Sequence, residues 1–222
     1  EILQLGLVAD ACKTYKNILL ITSSRLVPLA ARSFPSVRCV SSTQVKLKNK
    51  SYEQLPAMKL GRIYRKSLAD FPNRISYLRH NALEQRVLHK KYLDTVPVKS
   101  LLVGIAWKSS NTDFGKNKSI CIKDMLPIFK ISDIIFVNLQ YGNTEQDLSL
   151  LPKGLKTRVI TDATVNQLTN MDRFASQVAA LDIVVTVSNT TAHLAGALGI
   201  KTLTMIPKIG RGWLWYWFDN RY

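Results

Sequence analysis

Apolar runs punctuate the second half of the chain: "LLVGIAW" (101–107), "IIFVNLQ" (134–140), "TRVIT" (157–161), "IVVTVS" (183–188) and "TLTMI" (202–206). Between most of them the apolar positions recur at helical spacing, as in "IKDMLPIFK" (122–130) and "MDRFASQVAAL" (171–181). Short, nearly continuous apolar runs alternating with amphipathic helices predict a parallel sheet covered on both faces, here with about five strands. The first half repeats the pattern more thinly. "LQLGLVADACKTY" predicts a helix, "NILLIT" (17–22) a strand, "SRLVPLAARS" a helix opened by Ser23 or Ser24, and "VRCVSS" a second strand. Residues 43–66 then carry many Lys and Arg with only short apolar pieces, and "NALEQRVLHKKYL" (81–93) predicts a helix.

The Pro97-containing segment "DTVPVKS" marks the expected boundary between a basic first unit, 1–99, and a second unit, 100–222. The fold class expected is α/β in two units, the first small or incomplete, and the resemblance drawn below makes both of them Rossmann-like. No tandem repeat or low-complexity tract interrupts either.

With 222 residues, 46% of them hydrophobic, the chain can bury a sizeable core. The three cysteines, Cys12, Cys39 and Cys121, are too far apart for a CxxC metal site or a disulfide framework and read as free thiols. No apolar run approaches the roughly 18 residues of a membrane span, and the start lacks the basic head of a secretory signal, so a cytosolic protein is expected. A first residue that is not Met, and an end directly after "GWLWYWFDNRY", read as a segment of something longer. The formal charge of +16 is concentrated early: residues 1–99 hold 18 Lys and Arg against 6 Asp and Glu, residues 100–222 hold 13 against 9. Such a field draws anionic partners, whether phosphorylated glycans, lipid head groups or nucleic acid.

Three loops at the ends of predicted strands carry candidate chemistry, since open α/β sheets bind ligands at the carboxyl ends of their strands. In "VVTVSNTTAHLAGALG" (184–199), Ser188 or Asn189 can cap a helix whose first N–H groups lack internal partners, and those groups attract an anion. Thr190 and Thr191 add hydroxyls, Ala192 allows close backbone approach, and Gly199 suits a left-handed helix end. His193, in the first turns, either bonds a phosphate as a neutral imidazole or is a satisfied structural histidine. "WKSSNTDFGKNKSI" (107–120) brings Lys108, Lys116 and Lys118 toward the same crevice, and "NLQYGNTEQDL" (138–148) brings Tyr141, Gly142 and Glu145, an aromatic and a carboxylate suited to a nucleoside. The aromatic cluster Trp213, Trp215, Tyr216, Trp217 and Phe218 reads as a hydrophobic wedge, and Gly210 and Gly212 do not form a GxGxxG phosphate loop. There is no Asp-x-Asp triplet and no clustered His or Cys, so neither a metal nor another cofactor is expected.

These three loops, in this order, resemble the nucleotide-sugar-binding half of GT-B glycosyltransferases, in particular the lipopolysaccharide heptosyltransferase-like family and related transferase-like segments that follow tetratricopeptide repeats. The resemblance is good over residues 100–222 and diffuse over 1–99. It implies that Asn189, Thr190, Thr191, Ala192 and His193 hold the donor diphosphate, that Lys118 reaches a phosphate and assists catalysis, with Lys116 and Lys108 as competitors for that place, and that Tyr141, Gly142 and Glu145 lie by the nucleoside. It also implies a general base early in the first unit. That place falls on Glu1, without the Gly-Asp pair the family carries there, and a Glu in the first turn of a helix also serves as a dipole partner. The family continues into a terminal helix that this chain does not contain. The function so implied is metal-independent transfer of a sugar from a nucleotide donor to an acceptor hydroxyl, releasing a nucleoside diphosphate. The acceptor would be a glycan or other anionic group on a lipid or protein, compatible with contact at the inner face of a membrane. Two alternatives stay open: a catalytically inactive module that binds a nucleotide or partner, and a nucleic-acid binder, although no recognition motif or regular aromatic interleaving supports the latter.

Overall fold

Each of the seven runs expected as strands forms one, and every pairing is parallel. The computed structural model describes residues 1–45, 53–71, 76–95, 100–111 and 115–207. Pro97 and the aromatic cluster at 213–218 lie outside the described residues.

The first half opens with helix α1 (Ile2–Thr14), followed by β1 (Ile18–Thr22), a 3-10 turn at Ser24–Leu26, α2 (Val27–Ser33) and β2 (Val37–Ser41). β1 and β2 pair in register from Ile18 opposite Val37 to Thr22 opposite Ser41. Helix α3 (Ala57–Tyr64) follows inside the basic region where no element was expected. None of its residues is buried, so its apolar spacing reflects a face laid on α1 rather than a core helix. Helix α4 (Ala82–Leu93) starts where Asn81 accepts hydrogen bonds from the amides of Leu83 and Glu84.

The second half supplies β3 (Leu101–Ala106), α5 (Gly115–Lys118), a 3-10 turn at Ile122–Met125, α6 (Leu126–Phe129), β4 (Ile134–Asn138), α7 (Glu145–Ser149), α8 (Lys153–Lys156), β5 (Val159–Ile160), α9 (Met171–Ala179), β6 (Ile183–Val187), α10 (Thr190–Leu198) and β7 (Thr202–Met205). The helix expected over 122–130 is thus a 3-10 turn running into one α-turn, with Pro127 at the start of the latter. The strands form one sheet in the order β5-β4-β3-β6-β7. The chain winds outward from β3 through β4 to β5, then returns to the other side of β3 for β6 and β7. The loops after β3 and β6 therefore part company at the carboxyl edge, which is the place where such sheets leave a crevice.

Alternation along the strands divides the interior into two cores. Leu102, Ala106, Ile135, Val137 and Val184 face one side, where α9, α10, α4 and the first-half elements pack. Val103, Ile105, Phe136 and Val185 face the other, against Trp107, Ile122, Met125, Phe129 and Leu148. Gly104 faces the first core with Leu102 and Ala106, where a Cβ would lie 2.5 Å from Leu139 Cδ1 and 2.6 Å from Leu181 Cδ1. The first core is continuous across the two halves, running from Ile2, Leu5 and Leu29 to Leu194 and Leu198.

Polar contacts register the two halves as well. Arg32 on α2 makes a two-pronged ion pair with Asp172 on α9, and Tyr77 and Leu78 both donate their amides to Ala197 O at 2.9 Å. On α4, Tyr92 is fully buried, donates to Asp162 Oδ2 at 3.0 Å and accepts from Gln177 Nε2 at 2.9 Å. Lys91 joins the same carboxylate at 2.8 Å. Burial works against the Asp162 anion, but the bonds from Lys91, Thr164 and Tyr92 outweigh it and hold the carboxyl down at about 2. Replacing Tyr92 with Phe keeps the packing but leaves Asp162 and Gln177 each short of a bond. Urea unfolding of Tyr92→Phe should show a loss of about 1–3 kcal/mol, and an unchanged midpoint would refute the network's role.

Candidate functional site

The carboxyl edge of a parallel sheet ends in backbone groups with no strand to pair with, and here buried carboxamides take them up. Gln140, after β4, accepts at Oε1 from the amides of Trp107 (3.0 Å) and Lys108 (2.8 Å), so it closes the end of β3. Asn138 accepts from Gln140 N at 3.0 Å and donates to Thr144 and Thr161. Gln167 donates to Leu139 O at 2.8 Å. Asn189, after β6, accepts at Oδ1 from Thr186 Oγ1 (3.1 Å), Thr191 N (2.9 Å) and Ala192 N (3.3 Å), while its Nδ2 donates to Lys108 O at 3.2 Å.

These ends surround an open cavity of about 360 Å³. From β3's loop come Ser109, Ser110, Asn111 and Lys118, from β4's Tyr141, and from β6's Ser188, Asn189, Thr190 and His193. Gln167, Leu168 and Met171 line it from the segment entering α9, and Arg25 reaches it from the turn after β1. Among these described lining residues the charged side chains are Arg25 and Lys118, and none is Asp or Glu. The lysine loop folds tightly: Ser119 Oγ accepts from Ser109 N at 2.9 Å and donates to Gly115 O at 2.7 Å, and a Cβ on Gly115 would meet Ser109 O at 2.5 Å. Tyr141 is tethered across the crevice, its hydroxyl accepting from the Ser110 amide.

Five of the residues expected at the site, Lys118, Tyr141, Asn189, Thr190 and His193, therefore meet in one cavity. The other candidate positions lie elsewhere. Lys108 turns to Asp147, with Nζ 2.6 Å from Oδ2, and Trp107 Nε1 donates to the same carboxylate at 3.1 Å. Lys116 is exposed on α5, and Gly142 and Glu145 are exposed beyond Tyr141, with Gly142 at φ 81°. Thr191 and Ala192 are buried beneath the turn and do not line the cavity. Glu1 also stands outside the lining. Its Oε1 accepts from Thr22 Oγ1 (3.1 Å) and Ser23 N (3.0 Å), at the carboxyl end of β1 and beside the turn that carries Arg25.

The expectation of several open amides at the start of α10 is narrowed by the cap. Thr191 N and Ala192 N are spent on Asn189, and among the described residues none accepts from Thr190 N, which stays with the Thr190 hydroxyl at the cavity. At the far end of α10, Gly199 adopts the left-handed conformation expected of it (φ 77°, ψ 20°). Arg25, Gln167, Leu168 and Met171 went unrecognised in the sequence. The signal for Arg25 was present, since "NILLIT" is a parallel strand and Arg25 stands three residues past its end.

Burial pushes the Lys118 ammonium below the ordinary lysine range. Burial, with the positive charge of Lys118 added, pushes His193 down to about 4, so its imidazole is neutral at physiological pH. An anion in the cavity would return the lost solvation to the lysine. Among the described residues no three His, Cys, Asp or Glu side chains gather as a metal site needs, and no helix is long and apolar enough to cross a membrane.

No family model matches the chain. It is 27% identical over 192 residues to Protein FlbA of Caulobacter vibrioides, covering 81% of this chain and 32% of that protein, so it spans about a third of the length of the curated relative it matches. Among solved structures it is similar to E. coli ADP-heptose lps heptosyltransferase II, with a TM-score of 0.49 and 14% identity, over 92% of this chain and 66% of that one.

Two outcomes follow from this geometry. Asn189→Ala should cost about 1–3 kcal/mol in urea unfolding and speed amide exchange at Thr191 and Ala192. Unchanged exchange there would show that the cap does not hold the turn. Because His193 binds its proton less tightly folded than unfolded, stability should be full above about pH 6.5 and fall as pH drops toward about 4. His193→Gln should flatten that fall, and an identical pH profile would refute the burial of the neutral ring.

Proposed function

We propose that the protein binds the diphosphate of a nucleotide sugar in this cavity and transfers the sugar to an acceptor hydroxyl. The observation that carries the reading is the convergence of two cations, hydroxyls and an open helix amide at the β3/β6 switch point, with no carboxylate among the described lining residues. Its volume of about 360 Å³ suits the diphosphate and an adjoining sugar or base of a ligand that extends into the open cleft. Tyr141, Leu168 and Met171 offer the apolar surfaces a nucleoside or sugar ring would lie against.

In the reaction, the acceptor oxygen bonds to the anomeric carbon as the bond from that carbon to the phosphate oxygen breaks, and the electron pair leaves with the nucleoside diphosphate. The acceptor proton goes to a carboxylate, for which Glu1 is the candidate at the edge of the first half. Lys118, Thr190 N–H and the Thr190 hydroxyl are aimed at the charge that grows on the departing phosphate. Donors already in position stabilise that charge without reorganising, and losing one typically costs a factor of about 10²–10³ in turnover.

A thermal-shift screen of UDP, ADP, GDP and CMP tests the binding step. A ligand at about 100 times its Kd adds about 2.7 kcal/mol, a rise in Tm of roughly 5–10 °C for a chain of this size. One base should stand out, and Lys118→Ala should remove most of its shift while leaving the unliganded Tm unchanged. The absence of any shift at millimolar concentration would sink the reading.

A further inference from the structure

Five described arginines are partly buried, and four of them either pair with a carboxylate or donate to several carbonyls. Arg32 pairs with Asp172, Arg65 with Asp10, Arg173 with Glu84, and Arg158 donates to the carbonyls of Phe129, Ile131 and Ile134. Arg25 differs. Its Nη1 donates to one carbonyl, Gln167 O at 3.3 Å, and among the described residues no carboxylate pairs with it. It lines a cavity whose other charged residue, Lys118, also has no carboxylate partner among the described residues. A cation partly removed from water without a counter-ion is costly, so two of them in one cavity describe the ligand by its complement, a dianion.

We infer that Arg25 is a ligand-binding residue of this cavity, the second cation for a diphosphate, supplied by the first half of the chain while Lys118 is supplied by the second. This rests on the diphosphate reading of the same cavity. The guanidinium fork matches two oxygens of a phosphate, which a lysine cannot do, and the bond to Gln167 O spends one of its five N–H groups. Gln167 is itself anchored on Leu139 O, so the guanidinium is held to the end of β4 before any ligand arrives. A diphosphate lying between Arg25 and Lys118 bridges the β1 turn and the β3 loop.

The test is calorimetric titration of wild type, Arg25→Gln, Arg25→Lys and Lys118→Ala with inorganic pyrophosphate and with UDP, ADP and GDP, each variant's Tm being measured alongside. Arg25→Gln should lose about 10–100-fold in affinity for pyrophosphate and for the preferred nucleotide, and Arg25→Lys should fall between it and wild type. If Arg25→Gln unfolds, Arg25→Lys carries the comparison, and a loss of at least several-fold supports the inference. Pyrophosphate binding that depends on Arg25, with no nucleoside diphosphate bound, supports the role of Arg25 and refutes the nucleotide-sugar reading. Wild-type affinity for pyrophosphate in the folded Arg25 variants, or no pyrophosphate binding by wild type, overturns the inference.

Discussion

At the switch point of the sheet, β3 and β6 run side by side but their loops leave in opposite directions, and the backbone groups they abandon must find partners without water or a neighbouring strand. Asn189 supplies them. One carboxamide takes two amides at the start of α10 and the Thr186 hydroxyl on its oxygen, and gives its nitrogen to Lys108 O on the loop across the crevice. Gln140 does the same for the opposite pair, β3 and β4. Because these ties are neutral, they hold the rim without contributing a net charge to it.

That neutrality leaves the charge of the cavity's described walls to two side chains. Among the described residues the other partly buried arginines meet a carboxylate or several carbonyls, and even Lys108, first in the lysine loop, is drawn off to Asp147. At the rim, Arg25 and Lys118 face a space whose described walls are otherwise hydroxyls, amides and apolar surface. The chain's net charge of +16 raises the local concentration of anions generally, and on the proposed reading it is these two side chains that select a doubly charged ligand. The neutral His193 beside Lys118 adds a polar ring and no competing charge.

Much of this architecture was legible because buried parallel strands write themselves as continuous apolar runs, and each such run became a strand. Helix α3 was not legible. Its apolar residues pack only partly, and "AMKLGRIY" reads as one more basic stretch. Within the site, the loops could be named but not the orientation of their side chains. Lys108, Lys116 and Lys118 are alike in sequence. What separates them is Asp147, 39 positions further along, and a tight Gly115 turn that puts Lys118 inward and Lys116 outward. Asn189 was read correctly as a possible cap, yet a cap and an anion compete for the same amides, and the structure gives Thr191 N and Ala192 N to the cap.

The central claim is that a diphosphate belongs between the loop after β3 and the start of α10. A crystal structure of the protein grown with the nucleoside diphosphate that stabilises it most tests this directly. The account predicts phosphate density within hydrogen-bond distance of Lys118 Nζ and Thr190 N. Well-ordered nucleotide bound anywhere else on the molecule, with that space filled by water, would contradict it.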